Sequence, residues 1–404
     1  MNPTATDARL SRALRSTWPR RRWLAAAGAA LAPTIVPARS AGQRPVPADA
    51  SYADVVPGRA LVFPRDHGAH DAWRLEWWYV TGWLRRRGID GHAPGAGVQL
   101  TFFRVATRHD RADPSRFAPR QLLFAHAALA LPERGRLLHA QRAARAAPGL
   151  ADAARHDTAV HIGPWSLQRQ SGDGRSETYR ARIDDPAFAL DLAFRTTAAP
   201  LLQGRAGYSR KGPEPLQASY YYSRPQLQLL GSIRVGHAEH EVDGIAWLDH
   251  EWSSALLDPG AAGWDWTGLN LDDGTSWTAF RIRRRTGGTL WSYARIPKTD
   301  ATGSSGSPCE PDSGDDCRPA LPARFEALRH WTSPRTGTRW PVAMRVTCGG
   351  RSLVLEPLFD DQELDARAGT GVLYWEGAVR ASENGRPIGR GYLELTGYAA
   401  PMRL

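Results

Sequence analysis

Lysine is almost missing from this 404-residue chain. Fifty of its 52 basic residues are arginine, and only Lys211 and Lys298 are lysine. That skew, beside abundant alanine and glycine, is what a GC-rich coding sequence produces by itself. The formal net charge of +11 therefore says little about partners. The first 38 residues hold six Arg against one Asp, so about half of that charge sits in the leader. No basic stripe or nucleic-acid-binding motif follows, and the sequence predicts no nucleic-acid partner. Peripheral contact with an anionic or membrane surface stays open. Three cysteines exclude a disulfide-dense scaffold. The longest apolar run, Leu24 to Val36, is shorter than the ~20 residues a membrane-spanning helix needs. Gly-x-Ser-x-Gly, His-Glu-x-x-His, phosphate-loop and dinucleotide motifs are all absent. No metal and no cofactor is expected.

Aromatic residues and turn formers are abundant instead. The chain carries 16 Trp, 39 Gly and 30 Pro, a composition that favours strands and tight turns. Near the N-terminus, Pro19-Arg20-Arg21-Arg22-Trp23-Leu24 precedes an Ala-rich apolar stretch and Val36-Pro37-Ala38. Residues 1–40 thus read as a cleavable export signal, resembling the twin-arginine type, with an ordinary secretory signal as the alternative. A periplasmic or secreted protein is expected. Cys309 and Cys317 bracket an acidic Gly/Ser/Pro-rich insertion, residues 299–319, and an oxidising compartment would allow them to pair. Cys348, in a strand-like run, is expected to be a buried thiol.

Runs of five to ten residues with alternating apolar and polar positions recur from Arg74 to Tyr398. Only residues 132–156 read as helical or loop-like. Trp78-Tyr79-Val80-Thr81-Gly82, followed by Thr101-Phe102-Phe103-Arg104, is echoed by Trp264-Asp265-Trp266-Thr267-Gly268 and Thr278-Ala279-Phe280-Arg281. The echo suggests two related β-barrels with a boundary near Pro225–Val235.

Several longer runs carry a family resemblance. They include Glu76-Trp77-Trp78-Tyr79-Val80-Thr81-Gly82, Ala125-His126-Ala127-Ala128-Leu129, Trp247-Leu248-Asp249-His250-Glu251-Trp252, Tyr374-Trp375-Glu376-Gly377 and Gly391-Tyr392-Leu393-Glu394-Leu395-Thr396-Gly397-Tyr398. Together they resemble the lipocalin-like family that contains carotenoid 1,2-hydratases, AttH-like proteins and proteins labelled predicted secreted hydrolases. The resemblance runs from about residue 52 to the C-terminus. It implies an all-β protein, two lipocalin-like β-barrel domains packed together, over residues 52–225 and 235–404.

Alternation along Gly244–Trp252 puts Asp249 and Glu251 on one face and His250 and Trp252 on the other. Neighbouring carboxyls can raise one another's pKa, and a His beside a Trp offers a proton relay against a π-surface. Hydrating an alkene needs a strong acid, aromatic faces for the cation and an activated water. The resemblance implies a His-x-Trp pair, matched by His250 and Trp252, and a later Tyr-x-Asp pair. No Tyr-x-Asp follows Trp252; Tyr374-Trp375-Glu376 and Tyr392-Leu393-Glu394 come closest. The catalytic candidates are therefore His250, Asp249, Glu251 and Asp265. Trp252, Trp264, Trp266, Trp78, Tyr79, Glu76, His126 and Tyr221 are candidates for lining a ligand cavity, expected on the His250 and Trp252 face. Glu76 also reads as an anchor bonded to Arg104 or Arg74, and Gly391–Tyr398 as core and turn. The expected activity is cofactor-free acid/base chemistry on a hydrophobic, isoprenoid- or polyketide-like small molecule. Hydration of a carbon–carbon double bond leads, with cyclisation or hydrolysis close behind. A periplasmic carrier of an apolar ligand, or an envelope or attachment protein, is the competing reading. Nothing in the sequence sets the oligomeric state.

Overall fold

The computed structural model describes residues 52–88, 95–107, 109, 113–115, 117–171, 176–255, 257–295 and 321–402. The leader and the Cys309–Cys317 segment lie outside the described residues. Strand and turn dominate, as the alternation and turn residues dictate, and among the described residues the only helical pieces are two single turns, Arg65–His67 and Pro132–Arg134.

The first sheet begins with β1 (Leu75–Arg86), β2 (Ala96–Ala106), β3 (Gln121–Ala130) and β4 (Leu138–Arg145). It continues through β5 (Ala151–Ala153), β6 (Ala159–Ile162), β7 (Trp165–Ser171), β8 (Glu177–Asp184) and β9 (Phe188–Arg195). Two short strands, β10 (Leu201–Leu202) and β11 (Tyr208–Arg210), lead to the long β12 (Ala218–Val235) and β13 (Ala238–Ser253). The second sheet contains β14 (Ala261–Leu271), β15 (Ser276–Arg284), β16 (Thr289–Arg295), β17 (Arg324–Thr332) and β18 (Arg339–Cys348). It ends with β19 (Arg351–Pro357), β20 (Glu363–Ala366), β21 (Val372–Glu383) and β22 (Arg386–Thr396).

Both sheets are barrel-like, one nearly closed and the other a half-barrel, and the all-β lipocalin-like architecture is confirmed. In each sheet the first strand pairs with the last: β1 with β13, and β14 with β22. The duplication is carried by topology. The order β16-β15-β14-β22-β21-β19-β18-β17 repeats β3-β2-β1-β13-β12-β9-β8-β7 position for position.

Two expectations need correction. Residues 132–156 hold two strands between turns, because Leu138–Arg145 adds to the edge of β3 and Ala151–Ala153 pairs with β6, and the Ala/Arg-rich composition merely hides the alternation. The Pro225 region is no boundary. Pro225 sits in a bulge where the β12–β13 register shifts between Arg224 and Leu227, and Gln226 takes a φ of 55°. A bulge is where a strand tolerates proline, which cannot donate to the ladder. The first sheet therefore runs on to Ser253. Cys348 is a buried free thiol, as expected.

Over residues 75–84 and 246–253, β1 and β13 are buried on both faces. Trp78, Val80, Leu248 and Trp252 pack into the first barrel's core, while Tyr79, Trp83 and Trp247 pack outward against Trp266, Phe280 and Tyr392 of the second sheet. Double burial explains why aromatic residues occupy consecutive positions in Trp77-Trp78-Tyr79. The sheets are also tied by hydrogen bonds, such as Trp83 Nε1 to the Gly391 carbonyl at 2.9 Å. Gly97 lets them approach: a Cβ there would stand 2.5 Å from the Tyr392 hydroxyl and 2.8 Å from Ala378 Cβ. Gly97→Val should force the sheets apart and cost roughly 1–3 kcal/mol in chemical denaturation, as overpacking does. An unchanged midpoint would refute this account of the junction.

Candidate active site

The alternation expected along β13 holds, since β1 and β13 pair without a register shift from Leu75↔Ser253 to Arg86↔Val242. The cavity, however, lies on the other face of the strand. A cavity of about 320 Å³ opens between the two sheets, within the range of small-molecule sites. Trp77, Tyr79 and Phe103 of the first sheet face Trp264, Trp266 and Phe280 of the second across it. Into this apolar box project Asp249 and Glu251 from β13, Glu376 from β21, Glu394 from β22, and Lys211 from the loop after β11.

Each carboxyl has a different setting. Asp249 accepts hydrogen bonds from Ser223 Oγ at 2.5 Å, the Tyr221 hydroxyl at 2.7 Å and Trp247 Nε1 at 2.7 Å. Burial outweighs these donors and pushes its carboxyl up to about 7, with the neighbouring Glu251 charge adding to the rise. Glu251 is ion-paired to Lys211 Nζ at 2.9 Å. Glu376 and Glu394 are directly opposite one another across the β21–β22 ladder. The Tyr79 hydroxyl donates to Glu376 Oε2 at 2.8 Å. Burial, reinforced by the field of Glu394, lifts Glu376 well above the carboxylate range. Burial likewise pushes Glu394 up to about 8, against a hydrogen bond from Trp264 and with help from Asp249 and Glu251. Facing carboxyls in an apolar wall titrate as a pair and retain a proton near neutrality.

His250 is in a different environment. It is fully buried in the first barrel, its ring stacked on Trp78 at 4.7 Å, with Nε2 2.9 Å from Glu76 Oε1 and Nδ1 3.2 Å from the Tyr222 hydroxyl. Trp252 stacks on His70 at 3.7 Å. Glu76 also receives Arg104 Nε at 2.7 Å and His70 Nδ1 at 2.6 Å, so it is the anchor that its second reading described. The expected cavity beside His250, Trp252 and Trp78 is thus filled with protein. His70, Glu76 and His250 hold ligand-type atoms within 4.8 Å of one another. Arg104 already neutralises Glu76, and against the pull of burial Glu76 and Asp66 hold the His70 imidazole above its ordinary value. The set is a closed hydrogen-bond network and does not fit a metal.

Asp265 also leaves the candidate list. It lies on the face of β14 opposite Trp264 and Trp266, bound by Arg281 Nε at 2.5 Å, Arg283 Nε at 3.1 Å and the Tyr398 hydroxyl at 2.9 Å. His126 stands one layer back from the cavity, its ring against Phe103 and Tyr374, and burial pushes it down to about 4. Tyr221 backs Asp249 and takes a hydrogen bond from Trp266 Nε1 at 3.1 Å. Asp249, Glu251, Tyr79, Trp264 and Trp266 are the candidates that the structure brings together, and Glu76 lines the same cavity while its carboxylate stays bound in the network. Lys211, Glu376, Glu394, Trp77, Phe103 and Phe280 also line the cavity and were not among them. Only the two Tyr-x-Glu runs signalled the distal acids. The Gly391–Tyr398 run is both core and site: Leu393 and Leu395 face the second sheet's core, while Glu394 faces the cavity.

These placements make two predictions. His250→Ala strips partners from Glu76 and Tyr222 and opens a void, so it should destabilise by roughly 2–4 kcal/mol in urea denaturation; unchanged stability would contradict a packed, bonded histidine. Asp249 rises on folding, so the folded chain holds a proton that the unfolded chain releases. Its contribution to stability is complete below the ordinary carboxylate range and falls as pH rises through about 7. Asp249→Asn should therefore gain on the wild type in urea midpoint between about pH 5 and pH 8. A constant difference across that window would refute the assignment.

Comparison with known proteins places this geometry. Residues 54–398 match the family model described as AttH-like. The crystal structure of an AttH protein from Nitrosomonas europaea is 44% identical and superposes with a TM-score of 0.74, covering 86% of this chain and 99% of that one. Kievitone hydratase from Nectria haematococca shares the fold at 14% identity and a TM-score of 0.59, over 87% of this chain and 97% of that one. A 97-residue segment is 28% identical to the dehydratase asqC of Emericella nidulans, covering 23% of this chain. The match spans only 26% of that enzyme's length. With the family model matched over nearly all of the described chain, the protein belongs to the AttH-like family.

Proposed function

We propose that the protein is an enzyme that adds water to, or removes it from, a carbon–carbon double bond of a hydrophobic small molecule, by acid/base chemistry carried by its own side chains. The observation that carries this reading is the Glu376–Glu394 pair, two facing carboxyls in an aromatic cavity opposite the ion-paired Glu251. A proton held by the pair serves hydration by transfer to an alkene carbon, and dehydration by transfer to a departing hydroxyl. Trp264 and Trp266 present π-faces to the positive charge that develops in either direction. Glu251 is the base that takes a proton from the incoming water or from the adjacent carbon.

A carrier of an apolar ligand needs no acid, and burying unpaired carboxyls is costly, which favours the enzyme over the carrier. The segment shared with the dehydratase asqC agrees with the reaction class. The His-x-Trp pair that carried the carotenoid-hydratase expectation is in the barrel core, so the reading rests on the acids alone. The leader read from residues 1–40 supports export of the enzyme to the periplasm or beyond.

The test is incubation with a panel of isoprenoid alkenes and tertiary allylic alcohols in ¹⁸O-labelled water, followed by mass spectrometry. Label should enter at least one compound. Glu376→Gln and Glu394→Gln should each slow incorporation by roughly 10²–10⁴-fold, the usual worth of a general acid. Their thermal midpoints should stay level or rise, because a buried charge is removed. Label incorporation that persists undiminished in both variants would overturn the proposal.

A further inference from the structure

We infer that Lys211 is an amine nucleophile that captures the carbonyl group of an apolar aldehyde or ketone in the cavity as a Schiff base. Three observations converge on it. The chain uses arginine at 50 of 52 basic positions, yet a lysine stands in the cavity, and it is the single lysine among the described residues. Its side chain is buried, 7% exposed, while lining the cavity wall. Nζ lies 2.9 Å from Glu251 Oε1, 4.0 Å from the centre of the Phe280 ring and 4.6 Å from that of Tyr221.

An arginine would serve a purely structural ion pair at this position at least as well. Its guanidinium grips a carboxylate through two donors and stacks on aromatic rings. What arginine cannot do is give up a proton and present a lone pair. Lysine can, and a lysine amine in an apolar pocket is the usual source of Schiff bases. The loop that carries Lys211 is fixed for the purpose: its backbone N–H donates to the Gln217 carbonyl at 2.7 Å, and a Cβ on Gly212 would stand 2.1 Å from Gln217 Oε1.

The atoms balance without an outside reagent. Glu251 takes a proton from the Lys211 ammonium, and the freed lone pair bonds to the carbonyl carbon. The C=O π pair becomes an oxyanion that takes up the proton shed by the newly bonded nitrogen, giving a neutral carbinolamine. Its hydroxyl then leaves as water, protonated by the Glu376–Glu394 pair, and a C=N bond remains. One ammonium and one carbonyl yield one protonated imine and one water once the proton left on Glu251 replaces the one given up by the acid pair, with nothing oxidised or reduced. The protonated imine withdraws electrons from the neighbouring carbons. Loss of a β-hydroxyl, or its addition to a conjugated double bond, becomes easier. The inference rests on the acid/base reading for its acid and names the substrate class: β-hydroxy or α,β-unsaturated carbonyl compounds with an apolar body.

The experiment is reductive trapping of the full chain with citral and cyanoborohydride, read by intact mass and peptide mapping. A single adduct at Lys211 is expected, lost in Lys211→Arg and retained in Lys298→Arg. Should Lys211→Arg fail to fold, the wild-type peptide map alone decides the question. Adduct confined to Lys298 or the α-amino group, or no adduct at all, overturns the inference. The underlying reading fails separately. No adduct at Lys211, with ¹⁸O incorporation still dependent on Glu376 and Glu394, removes the lysine alone. An adduct at Lys211, with incorporation indifferent to both acids, supports the capture and removes the acid pair.

Discussion

Burial of β1 and β13 on both faces is the constraint on which the rest of the structure depends. Over residues 75–84 and 246–253 these strands join the first barrel's core to the sheet–sheet junction, so the polar side chains there must be satisfied inside the protein or face the cavity. The two faces resolve this requirement differently. Toward the barrel core, Glu76 collects Arg104, His70 and His250 and its charge is closed within a hydrogen-bond network. Toward the junction, Asp249 collects neutral donors only, and Glu376 and Glu394 face one another. A closed network holds a structure in place. Carboxyls without a cationic partner can change protonation state near neutrality.

The same distinction explains why a histidine was the less informative residue. A buried imidazole bonded at both nitrogens has no free lone pair or proton for a ligand, and the aromatic rings around His250 leave no room for one. Asp265 shows the complementary case. Two arginines and a tyrosine occupy both of its oxygens, on the face of β14 turned away from the cavity. Position in an aromatic strand therefore did not separate acids closed into networks from acids that line the cavity.

Much of the fold was legible because it is local. Period-two alternation marked the chain from Arg74 to Tyr398 as strand-rich, and the Thr-Gly echo pointed to a duplication that survives as strand order. The misreadings have physical causes. A proline marks a boundary only when the chain leaves the sheet, and at Pro225 the strand absorbs it as a bulge. An edge strand such as Leu138–Arg145, half-buried along most of its length, shows little alternation to read. The site was harder. Alternation assigned Asp249 and His250 to opposite faces, but a strand apolar on both sides does not announce which face meets empty space. Lys211, Glu376 and Glu394 are brought to Asp249 and Glu251 by pairings far apart in sequence, and such pairings leave no local trace.

Having two sheets build one cavity also has a chemical consequence. Asp249 and Glu251 stand on the first sheet, Glu376 and Glu394 on the second. A substrate held between the sheets would meet the protonated pair on one side and the ion-paired Glu251 on the other. Proton donation and proton removal could then act on it from opposite directions without the acid and base neutralising one another. Within a single barrel, the same groups would sit close enough to form the kind of closed network that Glu76 makes. Glu376 and Glu394, placed at the gap between the sheets without a cationic partner, thus keep a carboxylic acid near neutral pH.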